Sequence, residues 1–352
     1  MFKRKPVWGF PIFFVFILLF SCNSYHGPVS DHFDGSRFFN KEPDNALFEH
    51  VKWLWEMKTV DWPDWIDDPP QPPPPARVEK GELRVTYVNQ SAVLIQMDSI
   101  NILTDPIWSD SPSPISWLGP KRIRAPGVKM EDLPEIDIIL ISHDHRDHLD
   151  LPTLKKLLDK HYPIILVGLG VKRELKSLEY ENIIELDWWQ DYTDSTGTKI
   201  TFVPSRHSSG RGLFDGNKTL WGGFVIEGPA GRVLFIGDTA WGGFLQKIKE
   251  HFDHFRLAIL PIGSYEKRWF MQSQHMNPDD AVAAHKILHV DQSMGIHFGT
   301  FKEHPEQTID AHVKDLKTAL EKYNVPEDKF WILKFGEGRN IGRGNSPPAA
   351  GS

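Results

Sequence analysis

The most informative stretch of the sequence is Ile141-Ser142-His143-Asp144-His145-Arg146-Asp147-His148, with three histidines and two aspartates in its last six positions. It ends the apolar run Ile138–Ile141, which predicts a buried strand, and the loop after a strand can aim several side chains at one point. Imidazole nitrogens and carboxylate oxygens are good zinc ligands, and imidazole also suits other divalent metals. The stretch alone fits either a metal site or an exposed histidine-rich loop.

Three later apolar runs also lead to a histidine or an aspartate. They are Lys199–Val203 before His207, Val233–Ile236 before Asp238, and Met294–Ile296 before His297. A single histidine after a strand is usually only packed, but strand ends along one edge of an α/β domain are where sites assemble. The four strand ends supply seven candidate ligands, enough for two metals if one carboxylate bridges them: His143, His145, Asp147, His148, His207, Asp238 and His297.

Residues 81–340 are predicted to form a single layered α/β domain. Short β-rich runs come first as hairpins and then alternate with helical segments, which is typical of such a fold. The predicted helices are Leu151–Lys160, Pro278–Leu288 with Asn277 as its N-cap, and Pro305–Tyr323. A length of about 260 residues suits one domain. We expect residues 341–352 to form a flexible tail.

The N-terminus has the pattern of an export signal. Lys3-Arg4-Lys5 precede an uncharged, mostly apolar run over residues 6–20, shorter than the roughly 20 residues of a spanning helix. Leu19 and Ser21 before Cys22 resemble the lipobox of bacterial lipoproteins, which implies removal of residues 1–21 and lipidation of Cys22. The alternative is an uncleaved anchor with an incidental cysteine. Either way, we expect export and attachment to a membrane of the bacterial cell envelope.

Residues 22–80 are predicted to be a tether and N-terminal extension. They end near the run Pro69-Pro70-Gln71-Pro72-Pro73-Pro74-Pro75, which favours extended polyproline II. The tryptophans of this region suit either a lipid interface or packing on the main domain. They are Trp53, Trp55, Trp62 and Trp65.

The composition excludes several classes of protein. A net charge of −7 argues against a protein that binds nucleic acid by neutralising phosphates. The single cysteine excludes disulfides within the chain, zinc sites with two or more thiolates and a redox pair. There is no Gly-x-Ser-x-Gly elbow and no P-loop. Ser208 is rejected as a nucleophile because the adjacent His207 is already counted as a ligand.

The order His-x-His-x-Asp-His, followed at long intervals by His, Asp and His, resembles that of the metallo-β-lactamase superfamily. The resemblance implies an αββα sandwich with two zinc ions, or other divalent metals, between its halves. It also implies the place of each ligand: His143, His145 and His207 on the first zinc, Asp147, His148 and His297 on the second, and Asp238 bridging both.

Longer motifs lie between residues 83 and 338. They are Ile102-Leu103-Thr104-Asp105-Pro106-Ile107, Leu118-Gly119-Pro120-Lys121-Arg122, Ile184-Glu185-Leu186-Asp187-Trp188-Trp189, Gly237-Asp238-Thr239, Pro261-Ile262-Gly263-Ser264-Tyr265-Glu266, Arg268-Trp269-Phe270-Met271, Gln274-His275 and Ile296-His297-Phe298-Gly299-Thr300-Phe301. They resemble the N-acyl-phosphatidylethanolamine-hydrolysing phospholipase D branch of that superfamily. The resemblance implies cleavage of a phospholipid to phosphatidic acid and an N-acylethanolamine. Members of this family often form dimers, so the resemblance also allows a homodimer.

The chain departs from that family at two positions near the predicted metals. Asn89-Gln90-Ser91 stand where the family commonly has Gly-His-Ala, which should alter the surroundings of the metals without removing a ligand. Arg146 stands where the eukaryotic enzyme has a tyrosine that touches substrate. Its guanidinium suits either a bidentate grip on a phosphate or a structural ion pair with Asp144 or Asp150. His275 matches a family histidine placed at the substrate.

The predicted chemistry is hydrolysis by metal-activated water, with Asp147 and Asp238 as the catalytic carboxylates. Two zinc ions can lower the pKa of a bridging water, whose hydroxide would attack phosphorus while Asp147, His275 or solvent protonates the leaving group. Three functions fit: a membrane-tethered phospholipase D-type phosphodiesterase, a hydrolase of a lactone or soluble phosphodiester, and a non-catalytic lipid-binding lipoprotein. We favour the first, because a decayed member should have lost a ligand and all seven are present.

Overall fold

The computed structural model describes residues 25–42, 47–56, 60–114, 119–212, 214–302 and 307–342. The predicted signal segment, Cys22 and most of the predicted C-terminal tail lie outside these ranges. Within the described ranges, no helix is both long enough and apolar enough to cross a membrane.

Two seven-stranded sheets form the centre of the domain. The strands in the described residues are β1 (Leu83–Asn89), β2 (Ala92–Met97), β3 (Ile100–Thr104), β4 (Ile138–Ile141), β5 (Ile164–Gly168), β6 (Ile183–Leu186), β7 (Asp191–Thr193), β8 (Lys199–Val203), β9 (Gly223–Gly228), β10 (Gly231–Phe235), β11 (Phe255–Pro261), β12 (Val290–Ile296), β13 (Phe330–Trp331) and β14 (Gly338–Asn340). The strand orders are β14-β1-β2-β3-β4-β5-β6 and β13-β12-β11-β10-β9-β8-β7. Each sheet is mixed, with parallel pairing from β3 to β6 and from β10 to β13.

Helices flank the two sheets. They are α1 (Leu47–Glu56), α2 (Leu151–Lys160), α3 (Phe244–Phe252), α4 (Arg268–Met271), α5 (Pro278–Ile287) and α6 (Ala311–Tyr323). On the first sheet, α2 buries Leu154 and Leu157 in an outer core, and on the second sheet α5 lies against β11 and β12. Asn277 caps α5 as predicted, because its side chain accepts a hydrogen bond from the Asp280 amide at 2.9 Å. The predicted αββα sandwich is confirmed.

The alternation of side chains along β4 shows why the sheets pack face to face. Ile138 and Leu140 lie in the large core shared with the second sheet, whereas Ile139 and Ile141 lie in the outer core beneath α2. All four are buried. Because burial of one such side chain is worth about 1.5–3 kcal/mol, a slip of one residue would be costly. The strand register therefore fixes where the histidine-rich loop begins.

Several predicted boundaries are wrong for reasons that lie in tertiary contacts. Helix α6 begins at Ala311 rather than Pro305, because Gln307 is held in a loop, where its side chain accepts from the Tyr265 amide. Ile341, predicted to start a flexible tail, is buried and its amide donates to the Leu83 carbonyl at 2.8 Å. Strands β6, β7 and β14 and helices α1, α3 and α4 were not predicted.

The described parts of the N-terminal extension pack against the domain. Phe33 and Phe38 are buried in the large core, and Trp53 stacks on Phe270 of α4 at 5.1 Å between ring centres. At the end of the proline run, the Pro75 carbonyl accepts from the Gln96 side chain at 2.8 Å. For Trp53, packing on the domain is therefore the alternative that the structure favours.

Two other tryptophans of the extension remain exposed. Trp55 is 87% exposed and Trp65 is 50% exposed. Contact with lipid therefore stays a prediction for both.

We expect Phe33→Ala to lower the free energy of unfolding by about 3 kcal/mol, because it leaves a cavity in the large core. Urea unfolding of the full chain measures this change. Phe39→Ala is the matched control: Phe39 is 37% exposed, and its loss should cost less than about 1 kcal/mol. Equal, small effects of the two variants would mean that the extension adds nothing to the folded core.

Candidate metal centre

The structure brings all seven predicted ligands together at the C-terminal ends of four strands. The loop after β4 carries four of them, and the segments after β8, β10 and β12 carry one each. All seven fall into two groups that could each hold a metal ion, three residues in the first and four, including Asp238, in the second. The strand-end argument from the sequence therefore leads to one compact site.

Three imidazoles make up the first group. His143 Nε2 lies 2.9 Å from His145 Nδ1, which lies 3.2 Å from His207 Nε2. Nitrogens bound to one tetrahedral zinc at about 2.0–2.1 Å are about 3.3 Å apart, so this spacing suits a zinc ion. Burial lowers the pKa of His143 and His145 and lowers that of His207 to about 3. The three rings are therefore neutral near pH 7 and offer lone pairs to a cation.

The second group alternates carboxylate and imidazole. Its four ligand atoms make a closed ring with sides of 3.1–3.2 Å, formed by Asp147 Oδ2, His148 Nε2, Asp238 Oδ2 and His297 Nε2. Burial alone would lower the pKa of His148, but Asp147 and Asp238 raise it well above its usual range. The Asp238 side chain is 3% exposed and that of Asp147 17%, and such sheltered carboxylates need a cation beside them, either an imidazolium or a metal ion.

Asp238 stands between the two groups. Its Oδ2 lies 3.8 Å from His207 Nε2 in the first group and 3.1–3.2 Å from the two histidines of the second. Its Oδ1 is buried and has no hydrogen-bond partner among the described residues. Burial alone would raise the pKa of Asp238, but His297 and His148 hold it well below its usual range. An ionised, buried carboxylate with an unsatisfied oxygen suits a ligand that bridges two cations.

Asp105 is a functional residue that the sequence reasoning missed. It follows β3 directly, and its carboxylate accepts from His148 Nδ1 at 2.7 Å, Ser142 Oγ at 2.6 Å and the Ser142 amide at 2.7 Å. Ser142 Oγ also lies 2.9 Å from His143 Nδ1. One buried carboxylate thus orients a ligand in each group. An aspartate directly after a buried strand was the signal available in the sequence.

Two further histidines of the centre, His207 and His297, are also oriented through their second nitrogen. His207 Nδ1 lies 2.9 Å from the Gln274 carbonyl oxygen, and His297 Nδ1 lies 3.2 Å from Ser264 Oγ. These contacts direct Nε2 of both rings towards the centre. Such partners hold the ring and its tautomer as a metal site requires. The donor set and its supports fit divalent metal ions.

Of the two predicted substrate residues, His275 lies at the edge of this centre, whereas the guanidinium of Arg146 contacts the loop at Arg211. His275 Nδ1 is 3.8 Å from Asp238 Oδ2, and the His275 side chain is 11% exposed. Arg146 donates through Nε and Nη2 to the Arg211 carbonyl at 3.2 and 2.9 Å. Among the described residues, Arg146 makes no ion pair with Asp144 or Asp150. The structural ion pair considered from the sequence is therefore not what holds the guanidinium.

A pocket opens beside His297. Its lining includes Gln90, Phe298 and Phe301 of the domain and Trp62 of the N-terminal extension. Trp62 is held there because its indole donates to the Gln307 carbonyl at 2.6 Å. The extension therefore contributes one wall of a pocket next to the metal centre.

Comparisons with known proteins agree with this site. Residues 100–298 match the family described as a beta-lactamase superfamily domain. The chain is 38% identical over 269 residues to N-acyl-phosphatidylethanolamine-hydrolyzing phospholipase D 1 of Caenorhabditis elegans, covering 72% of this chain and 75% of that protein. It is 36% identical over 222 residues to the mitochondrial N-acyl-phosphatidylethanolamine-hydrolyzing phospholipase D of Saccharomyces cerevisiae, covering 61% and 47%. An uncharacterized protein of Mycobacterium tuberculosis is 39% identical over 235 residues, covering 65% and 62%.

Solved structures share the fold. A metallo hydrolase from Ignicoccus hospitalis superposes with a TM-score of 0.57 at 20% identity, over 75% of this chain and 100% of that one. An isothiocyanate hydrolase from Delia radicum gut bacteria gives 0.56 at 20% identity, over 73% and 98%. The fold and the site define a metal-dependent hydrolase of the metallo-β-lactamase fold. Within that superfamily, the chain belongs to the N-acyl-phosphatidylethanolamine-hydrolysing phospholipase D branch, as the sequence motifs predicted.

Proposed function

We propose that this protein is a two-zinc phosphodiesterase of phospholipase D type that hydrolyses N-acyl-phosphatidylethanolamine or a related phospholipid. The observation that carries the proposal is the pair of ligand groups that meet at Asp238. The name of the Caenorhabditis elegans relative supports the substrate class. Zinc, when bound, supplies Lewis acidity towards a phosphoryl oxygen and activation of water.

The residues of the chain have distinct roles in this proposal. One zinc would be held by His143, His145 and His207, the other by Asp147, His148 and His297, with Asp238 shared. In the reaction, water adds to phosphorus and the bond from phosphorus to the ethanolamine oxygen breaks. The leaving oxygen then takes a proton, for which His275 at the edge of the centre and Asp147 are the candidates.

We also propose that lipidated Cys22 holds the protein at a membrane of the bacterial cell envelope, beside its substrate. What supports this is the order of a basic start, an apolar run and a lipobox-like sequence over residues 3–22. Mass spectrometry of the mature N-terminus should find an acylated Cys22. An unmodified cysteine would refute the lipid anchor, and a chain that begins at Met1 would favour the uncleaved anchor instead.

The substrate class is tested with a panel of substrates. Purified, zinc-loaded protein is incubated with N-acyl-phosphatidylethanolamine, plain phosphatidylethanolamine, a soluble phosphodiester and a lactone, with a chelator-treated sample as control. We expect release of phosphatidic acid from the N-acylated lipid and loss of activity with chelator. Turnover of the lactone alone would contradict the proposal and favour another hydrolase on the same site.

Arg146→Ala is expected to raise KM for phosphodiesters roughly tenfold with little change in kcat, if the guanidinium binds a substrate phosphate. Arg146→Lys keeps the charge but loses the planar fork, so an intermediate KM is expected. Steady-state kinetics on a phospholipid in mixed micelles measures both. An unchanged KM in the alanine variant would mean that Arg146 only holds the Arg211 loop.

A further inference from the structure

The two-residue turn between β1 and β2 places Gln90 beside the second ligand group. The backbone N–H of Gln90 donates to Thr300 Oγ1 at 2.8 Å, and the backbone carbonyl of Gln90 accepts from the backbone N–H of His297 at 2.8 Å. Its φ of 41° lies in the left-handed region, which favours glycine, and its side chain is buried. A glutamine in this strained backbone conformation suggests that its side chain has a functional role.

The Gln90 side chain reaches two atoms of the second group directly. Its terminal amide nitrogen lies 3.0 Å from Asp147 Oδ2 and 3.1 Å from His297 Nε2. The sides of the ring formed by the four ligand atoms are 3.1–3.2 Å. The terminal nitrogen of Gln90 is therefore about as far from Asp147 Oδ2 and His297 Nε2 as these two ligand atoms are from each other.

The chemistry of a primary amide decides what this position can do. An N–H at this place donates to the carboxylate and the imidazole lone pair. When a cation shares those lone pairs, an N–H pointing at it is unfavourable. Half a turn about the last side-chain bond exchanges nitrogen and oxygen with almost no change of shape. Amide oxygens are ligands that hard divalent cations accept.

We propose that the side-chain oxygen of Gln90 is an additional ligand of the metal held by Asp147, His148, His297 and Asp238. The inference rests on the metal centre proposed above. It raises the protein donors of this metal from two nitrogens and two oxygens to two nitrogens and three oxygens. Such a set suits a five-coordinate divalent ion, and both zinc and Co²⁺ can take five ligands.

Cobalt absorption tests the number of ligands without any assay of activity. The full chain is titrated with Co²⁺ as wild type, Gln90→Leu and Gln90→Glu, and the visible spectrum is followed for the first and second equivalents. The second equivalent should give a weak, five-coordinate spectrum in the wild type. In Gln90→Leu it should give a more intense, tetrahedral spectrum and bind at least about tenfold more weakly. Gln90→Glu keeps an oxygen and should keep the five-coordinate spectrum.

Gln292→Leu is the matched control, since this half-buried amide on β12 contacts Trp331 and not the centre. It should leave both spectra unchanged. If Gln90→Leu fails to fold by circular dichroism, Gln90→Asn takes its place. Its shorter amide cannot reach the ring, and asparagine tolerates a positive φ.

Two outcomes separate failure of this inference from failure of the proposed centre. A Gln90→Leu spectrum equal to that of the wild type would overturn the inference, even if the affinity for the second Co²⁺ fell. The side-chain amide of Gln90 would then only orient Asp147 and would not bind the metal. A wild-type protein that takes up no second Co²⁺ would overturn the two-metal centre as well.

Discussion

Asp238→Asn should abolish most of the hydrolytic activity and release one metal ion. The asparagine side chain is neutral and offers one oxygen where the carboxylate offers two. Its NH2 group would then face the ligand atoms of one of the two groups. The loss of metal affinity should exceed the roughly 100-fold that follows from losing an outer hydrogen-bond partner, because a shared ligand is removed. Metal content after dialysis and turnover of a phosphodiester are measured on the same sample.

The control for Asp238→Asn is another buried aspartate. Both oxygens of Asp98 accept from backbone amides, those of Gly81 at 2.7 Å and Ala230 at 2.8 Å, away from the metal centre. Asp98→Asn should lower stability but leave the metal content unchanged. Retention of both metals and the full rate by Asp238→Asn would refute its bridging role.

Asp105→Asn should have the second largest effect, although Asp105 is not one of the seven proposed metal ligands. The carboxylate accepts from the His148 ring and twice from Ser142, and it is fully buried. Its amide substitute turns an N–H against one of these donors. We expect metal affinity to fall about 10–100-fold, and the free energy of unfolding to fall by about 3 kcal/mol.

A positioning role for Asp105 predicts rescue by excess zinc, because no ligand is lost. Activity of Asp105→Asn should return at high zinc, whereas that of Asp238→Asn should not. Ser142→Ala removes the hydroxyl contacts to Asp105 and to the His143 ring but leaves the Asp105–His148 contact, so it should weaken zinc binding less. Wild-type zinc affinity in Asp105→Asn would contradict this role.

The meeting of the seven candidate ligands could be predicted because they follow strands that are easy to recognise. Strand β4 is apolar throughout and β8, β10 and β12 end in apolar residues, so the polar residue that follows each strand stands out from its surroundings. Parallel neighbours then end at the same edge of their sheet. Asp105 obeys the same rule after β3, but it was treated only as part of a motif.

Other features depend on contacts that no local pattern encodes. Phe33 and Phe38 lie in a segment without periodicity, and only the completed sandwich provides the core that buries them. Strands β7 and β14 have three residues each and are held by pairing with neighbours rather than by their own apolar residues. The reach of Gln90 to two ligands likewise depends on the approach of the β1–β2 turn to His297.

Hydrolysis in ¹⁸O-labelled water tests the central claim most directly. Zinc-loaded protein acts on N-acyl-phosphatidylethanolamine, and both products are analysed by mass spectrometry. Attack of water on phosphorus predicts one ¹⁸O in the phosphatidic acid and none in the N-acylethanolamine. Label in the N-acylethanolamine, label in a released fatty acid, or no cleavage of the lipid would contradict the proposed phosphodiesterase.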